Sequence, residues 1–132
     1  MAALSEGLDY FGCDTNGELC ECLERCAEDY AKTTGCNVRA EIYNRPSEEL
    51  IPELQGKCGL CFSSPPYFDV ELYRGERTST TSYPTYEAWI NQYLRPTIEN
   101  CKAYLVTGGH LAINIKNIGK RKPMYDDAMR IC

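Results

Sequence analysis

The chain has 132 residues, 43% of them hydrophobic and 25% charged, the make-up of one ordinary globular domain with a core. Its apolar runs fall far short of the roughly 20 residues a membrane helix needs, and residues 1–20 lack a basic start leading into an apolar stretch, so no membrane association is expected and cytosolic residence is. A net charge of −5 argues against a chain that grips phosphate backbones unaided; the one basic cluster is Lys116, Lys120, Arg121 and Lys122.

Residues 1–7 read as the last turns of a helix, with Gly7 as its C-cap. Leu8 to Cys13 is a short apolar run ending at Asp14, and Asn16-Gly17 punctuates the chain before a helical pattern. There Leu19, Cys22, Leu23, Cys26 and Tyr30 recur at threes and fours, the spacing of an amphipathic helix that ends before Gly35. Val38 to Tyr43 alternates as a strand does, Pro46 breaks it, and Ser47-Glu48-Glu49 opens a helical turn reaching Leu54. Cys58 to Phe62 is nearly all apolar, the signature of a strand covered on both faces. Residues 63–84 read as a long loop, of the kind that in small domains is functional or mobile.

Tyr86, Trp89, Ile90, Tyr93 and Leu94 mark the next helix, which continues past Pro96 as a new first turn to about Leu105. Gly108-Gly109 stops it, Leu111 to Ile115 is another strand, and Met124 to Cys132 resumes helical spacing. Alternating strands and helices predict an α/β fold with a mainly parallel sheet. No linker, repeat or low-complexity segment divides it.

Nine cysteines without a secretory leader predict reduced thiols over a disulfide framework. Cys58 and Cys61 lie three apart on a strand, which points them to opposite faces and away from a shared ion. Cys22 and Cys26 are one helical turn apart, a spacing read as core. No metal site is expected. His110, the single histidine, follows two glycines at a strand start and reads as structural ahead of a general base.

The residues that point to chemistry are Phe62-Ser63-Ser64-Pro65-Pro66-Tyr67-Phe68-Asp69, directly after the apolar strand. Ligands of open α/β sheets gather beyond the carboxyl ends of strands. Two consecutive prolines restrict the backbone and aim the carbonyls of Ser64 and Pro65, and the aromatic that follows offers a stacking surface for a base. The same letters also suit a rigid loop start.

Ser64-Pro65-Pro66-Tyr67 resembles the catalytic tetrapeptide of S-adenosylmethionine-dependent DNA amino-methyltransferases, where Asp, Asn or Ser precedes Pro-Pro and an aromatic. The order of what surrounds it is similar too: Phe68, Asp69, Glu71 and Tyr73, then Gly75-Glu76, Trp89, and Gly108-Gly109 through Ile115. Upstream, Tyr10-Phe11-Gly12-Cys13-Asp14-Thr15-Asn16 resembles the end of that family's second strand. The resemblance implies a Rossmann-like methyltransferase fold, S-adenosylmethionine as cofactor and DNA as substrate.

By that resemblance Asp14 would accept hydrogen bonds from the cofactor's ribose, a role shared with dinucleotide folds, although the residue also suits a helix N-cap. Ser47 and Glu48 fall where the family contacts adenine, but Pro46 stands where an Asp is common, and Gly59 replaces an acidic residue early in the motif strand. Ser64 and the Pro65 carbonyl would hold the target amino group, and Tyr67 would stack on the base, which must be flipped out or single-stranded. A glycine-rich loop after a first strand, and the family's last strands, have no counterpart in these residues. The first strand of that fold lies between the second and fourth, so two unpaired edges are expected, the reading frame is expected to continue upstream of Met1, and these 132 residues alone are expected to be inactive. Methylation of RNA or of a protein glutamine by a related fold, and a thiol-rich metal-binding module, are the competing readings; Ser64 leans toward cytosine over adenine. Oligomeric state is not legible.

Overall fold

The carbonyls at the end of the first helix, α1 (Ala2–Ser5), are met by a Schellman closure. Leu8 N donates to Ala3 O at 2.9 Å and Gly7 N to Leu4 O at 3.2 Å, with Gly7 at φ +71°, the left-handed region that favours glycine. The computed structural model describes residues 2–68, 79–118 and 123–132, with the side chains of Ser79 and Thr80 excepted. The chain forms two compact units, Met1–Pro46 and Ser47–Cys132. Lys120, Arg121 and Lys122 of the basic cluster, and Asp69, Glu71, Tyr73, Gly75 and Glu76 of the family-like segment, lie outside the described residues.

In the first unit, β1 (Tyr10–Asp14) leads into α2 (Gly17–Thr34), capped by Asn16, whose side chain accepts from Leu19 N. The chain returns as β2 (Ala40–Asn44), parallel to β1 from Tyr10↔Ala40 to Asp14↔Asn44. This is a strand–helix–strand unit, as the alternation predicts. The face that α2 packs is not the predicted one. Cys20 is buried and Ala27, Tyr30 and Ala31 are half-buried, whereas Leu19, Cys22, Leu23 and Cys26 are exposed. The Cys20 sulfur lies 3.5 Å from Asp14 O and 4.0 Å from Tyr43 O, so a small side chain brings the helix close to the strand ends. The bulkier stripe is turned about one position away, toward solvent.

The second unit begins with a turn at residues 47–48 and a short 3-10 turn, Pro52–Leu54, in place of the longer helical turn expected there. β3 (Cys58–Ser63) is followed by α3 (Ser79–Ser82), α4 (Tyr86–Trp89), a π stretch Ile90–Leu94 and α5 (Arg95–Tyr104). The π stretch sits where Pro96 requires it. A proline ring clashes with the carbonyl four residues back, and the i→i−5 bond from Arg95 N to Ile90 O widens the helix there. β4 (Leu105–Ile113) starts directly after α5, and α6 (Met124–Ile131) closes the unit.

β3 and β4 are parallel, paired Leu60↔His110 through Ser63↔Ile113. Gly108-Gly109 therefore does not stop the helix but lies within β4, where Gly108 takes φ +82°. Between Cys58↔Leu105 and Leu60↔His110 the ladder advances two residues on β3 and five on β4, and a left-handed glycine absorbs the excess. Nor is β3 covered on both faces. Cys61 is buried, but Leu60 and Phe62 are 63% and 69% exposed. The unit's core is Phe68, Trp89, Tyr93, Leu94, Ile98, Met124, Ala128 and Ile131, with Leu111 and Ile113 of β4 packed against it.

The chain is thus α/β, with its described strands in two parallel pairs, β1–β2 and β3–β4. No helix among the described residues is long and apolar enough to cross a membrane.

Candidate functional site

The tetrapeptide begins one residue beyond the C-terminal end of β3. Asn114, one residue beyond β4, extends the ladder by a rung, its N–H donating to Ser63 O at 2.8 Å. The Asn114 side chain then reaches over, Nδ2 donating to Ser64 Oγ at 3.4 Å. Ser64 is exposed, Pro65 buried, Pro66 and Tyr67 half-buried and Phe68 buried. Phe68 is the anchor: its ring meets Tyr86 edge-on at 5.7 Å and Trp89 at 6.1 Å. Two prolines followed by a buried aromatic leave the backbone little freedom, so the Ser64 hydroxyl and the Tyr67 ring are presented from a rigid support.

Sequence reasoning gave roles to Ser64, Pro65, Pro66 and Tyr67, but Phe68 and Asn114, the two residues that hold them, entered it only as parts of the family-like pattern. Phe68 carried a signal, a large aromatic after a polar turn. Asn114 carried none without the strand pairing, because its role depends on which strand lies beside β3.

Ser47 and Glu48 are engaged elsewhere. Ser47 Oγ and Thr97 Oγ1 are 2.9 Å apart, Asn100 Nδ2 donates to Ser47 O at 2.9 Å, and the Tyr83 hydroxyl donates to Glu48 Oε1 at 3.0 Å. These bonds tie residues 47–48 to α5 and to the segment before α4. Neither residue is hydrogen-bonded to Ser64–Tyr67 among the described residues.

Asp14, in the first unit, ends β1. It does not cap α2, since Asn16 does that, with Oδ1 3.1 Å from Leu19 N. Asp14 Oδ1 instead accepts from Asn16 N at 2.8 Å, a local turn that holds the carboxylate. Its second oxygen accepts no hydrogen bond among the described residues, which leaves a charged acceptor at a strand end for a hydroxylated ligand.

The thiols of Cys58 and Cys61 are not kept apart by strand alternation as expected. The register shift between Cys58 and Leu60 breaks the period of two, and the Cys61 thiol interacts with those of both Cys101 and Cys58. The Cys61 sulfur also lies 3.5 Å from Cys101 O. Its hydrogen bond with Cys101, and then burial, push the Cys61 thiol far up; burial first, then Cys61, raises Cys58. Cys22 and Cys26 are exposed, not core. No group of three or more His, Cys, Asp or Glu is placed to hold a metal ion among the described residues. His110 is exposed opposite Leu60, without a hydrogen bond among the described residues.

Cavities of about 650 Å3 and 470 Å3 lie between α2 and β2 and against β4 and α6. Neither is lined by Asp14 or by Ser64–Tyr67. Comparison with family models, with curated proteins and with solved structures finds no match to this chain.

Proposed function

We propose that this chain is part of an S-adenosylmethionine-dependent methyltransferase acting on the exocyclic amino group of cytosine or adenine in DNA. The observation that carries the reading is the tetrapeptide itself, resembling that family's motif, standing at the C-terminal end of a parallel strand with Ser64 exposed and Tyr67 held by the anchored Phe68. That is where open α/β sheets bind their ligands.

Strand pairing adds support for a Rossmann-like fold. If β1 and β2 take the second and third places and β3 and β4 the fourth and fifth, the doubly wound order 3-2-1-4-5 without its first strand leaves the pairs observed here. Asp14 fits the ribose of the cofactor through its free carboxylate oxygen; Ser47 and Glu48, tied down by Thr97, Asn100 and Tyr83, are the weaker contacts to adenine.

S-adenosylmethionine supplies a methyl group on a sulfonium sulfur; in the transfer the sulfur–carbon bond breaks, a nitrogen–carbon bond forms and the amino nitrogen sheds a proton to water. Placement is the protein's contribution. The Pro65 carbonyl accepts an amino hydrogen, Ser64 holds the edge of the base beside it, and Tyr67 stacks on its face. The amino group lies inside a duplex, so the base is flipped out or single-stranded when it reaches this platform. A cytosolic setting, with all nine cysteines as thiols, goes with the reading.

The test is transfer of a radiolabelled methyl group to duplex DNA, single-stranded DNA, RNA or a glutamine-containing peptide, with the product identified by mass spectrometry. N4-methylcytosine or N6-methyladenine is expected. Label on RNA or peptide instead moves the assignment to a related amino-methyltransferase, and a full-length protein that neither binds the donor nor transfers methyl groups sinks it.

A further inference from the structure

Ser64 and Asn114 each stand one residue past the end of adjacent parallel strands, in a register set by Ser63↔Ile113. Their hydrogen bond has a direction: Asn114 Nδ2 donates and Ser64 Oγ accepts, at 3.4 Å. A serine hydroxyl has one proton and two lone pairs. By accepting from Asn114, Ser64 keeps its proton, which meets no acceptor among the described residues. The Pro65 carbonyl, on the following residue, can only accept.

Ser64, exposed, and Pro65, buried behind it, thus carry a donor and an acceptor on neighbouring residues. Cytosine and adenine present the complementary pair on the edge that carries the amino group: amino hydrogens to give and, next to them, a ring nitrogen to receive. We propose that Asn114 is a positioning residue that makes Ser64 a donor to this ring nitrogen, N3 of cytosine or N1 of adenine, while the Pro65 carbonyl takes the amino hydrogen. The inference rests on the base-site reading above and gives it a division of labour: Ser64 reads the ring, and Pro65 orients the amino group. The two bonds hold the base at two points and fix its rotation about the Tyr67 ring.

Single-stranded oligonucleotides bearing one cytosine, one 3-deazacytosine, one adenine, one 1-deazaadenine or one abasic position separate the outcomes in a fluorescence-anisotropy titration of the 132-residue chain. The deaza bases keep the amino group and lose only the ring acceptor. The parent chain is expected to bind the preferred natural base about tenfold tighter than its deaza counterpart, the worth of one neutral hydrogen bond. Asn114→Asp, whose carboxylate only accepts, takes the Ser64 proton for itself, so this ratio is expected to fall to near one, as it does in Ser64→Ala. Both positions are exposed, and circular dichroism checks that the fold is kept. Equal binding of natural and deaza bases by the parent, or an undiminished ratio in Asn114→Asp, overturns the inference while a preference over the abasic strand leaves the platform standing. Loss of even that preference removes the base-site reading and the inference with it.

Discussion

The Tyr86 hydroxyl donates to Asp127 Oδ2 at 2.9 Å, while the other oxygen of that carboxylate accepts from Arg130 Nη1 at 2.8 Å, so a single carboxylate joins α4 to α6. Burial, and then the bond to Asp127 and its charge, hold the Tyr86 phenol well above the usual tyrosine range. The folded state favours the protonated phenol more than the unfolded state does. Its contribution is therefore complete below the ordinary value of about 10 and is lost as pH rises above it. Urea titrations at increasing alkaline pH are expected to show stability falling in that window, less steeply in Tyr86→Phe. The same substitution at neutral pH is expected to cost roughly 1 kcal/mol.

Trp89 is fully buried, yet its Nε1 has no acceptor among the described residues. An unpaired buried donor is costly, so Trp89→Phe removes a penalty along with some volume. The net change is expected to stay within about 1.5 kcal/mol, against about 3–5 kcal/mol for Trp89→Ala. Chemical denaturation compares the two; equal damage would mean that the indole N–H has a partner that matters.

Alkylation followed by mass spectrometry is expected to sort the thiols by surroundings. Cys13, Cys22, Cys26 and Cys132 are exposed and should react first. Cys20 and Cys61 are buried with their thiols raised, which disfavours the reactive thiolate. They should react only in denaturant. Early labelling of Cys61 would contradict the arrangement around it.

For the platform, Tyr67→Ala is expected to remove a stacking contribution of roughly 1–3 kcal/mol per base, while Tyr67→Phe keeps it. Transfer assays on a competent chain, with cofactor binding followed separately, read this out. Because Tyr67 also packs on the core, equal activity of the alanine variant would return it to a packing role alone.

Asp14→Ala is expected to weaken S-adenosylmethionine binding by roughly 1.5–3 kcal/mol, the worth of a hydrogen bond to a charged group, with DNA affinity nearly unchanged. Calorimetry that finds cofactor affinity unaltered would leave Asp14 as the acceptor for Asn16 and nothing more.

The order of elements was legible because each carries its own period and punctuation: Asn16-Gly17 before α2, Gly35 after it, and the 3.6-residue spacing through Trp89 and Tyr93 that buries both. Which face of α2 packs was not. A wheel shows that Leu19 and Leu23 share a stripe, but not that the strand ends beside them accept only something as small as Cys20. The Cys58–Cys61 geometry was hidden for a related reason: alternation assumes an unbroken ladder, and the register shift beside Gly59 breaks it. The tetrapeptide could be located from its own letters, whereas Asn114 acquires meaning only from its neighbour in space.

A π stretch is, in effect, one residue too many in a helix, and Ile90–Leu94 carries that surplus. Removing a single residue from it would turn everything downstream by about 100° around the helix axis. Thr97 and Ile98, both buried, would rotate out of the core, and Pro96 would meet a helix with no room for its ring. A length polymorphism inside residues 90–94 should therefore be far less tolerated than one elsewhere on the surface. The extra residue is a phase correction that lets an upstream aromatic cluster and a downstream aliphatic one serve the same core.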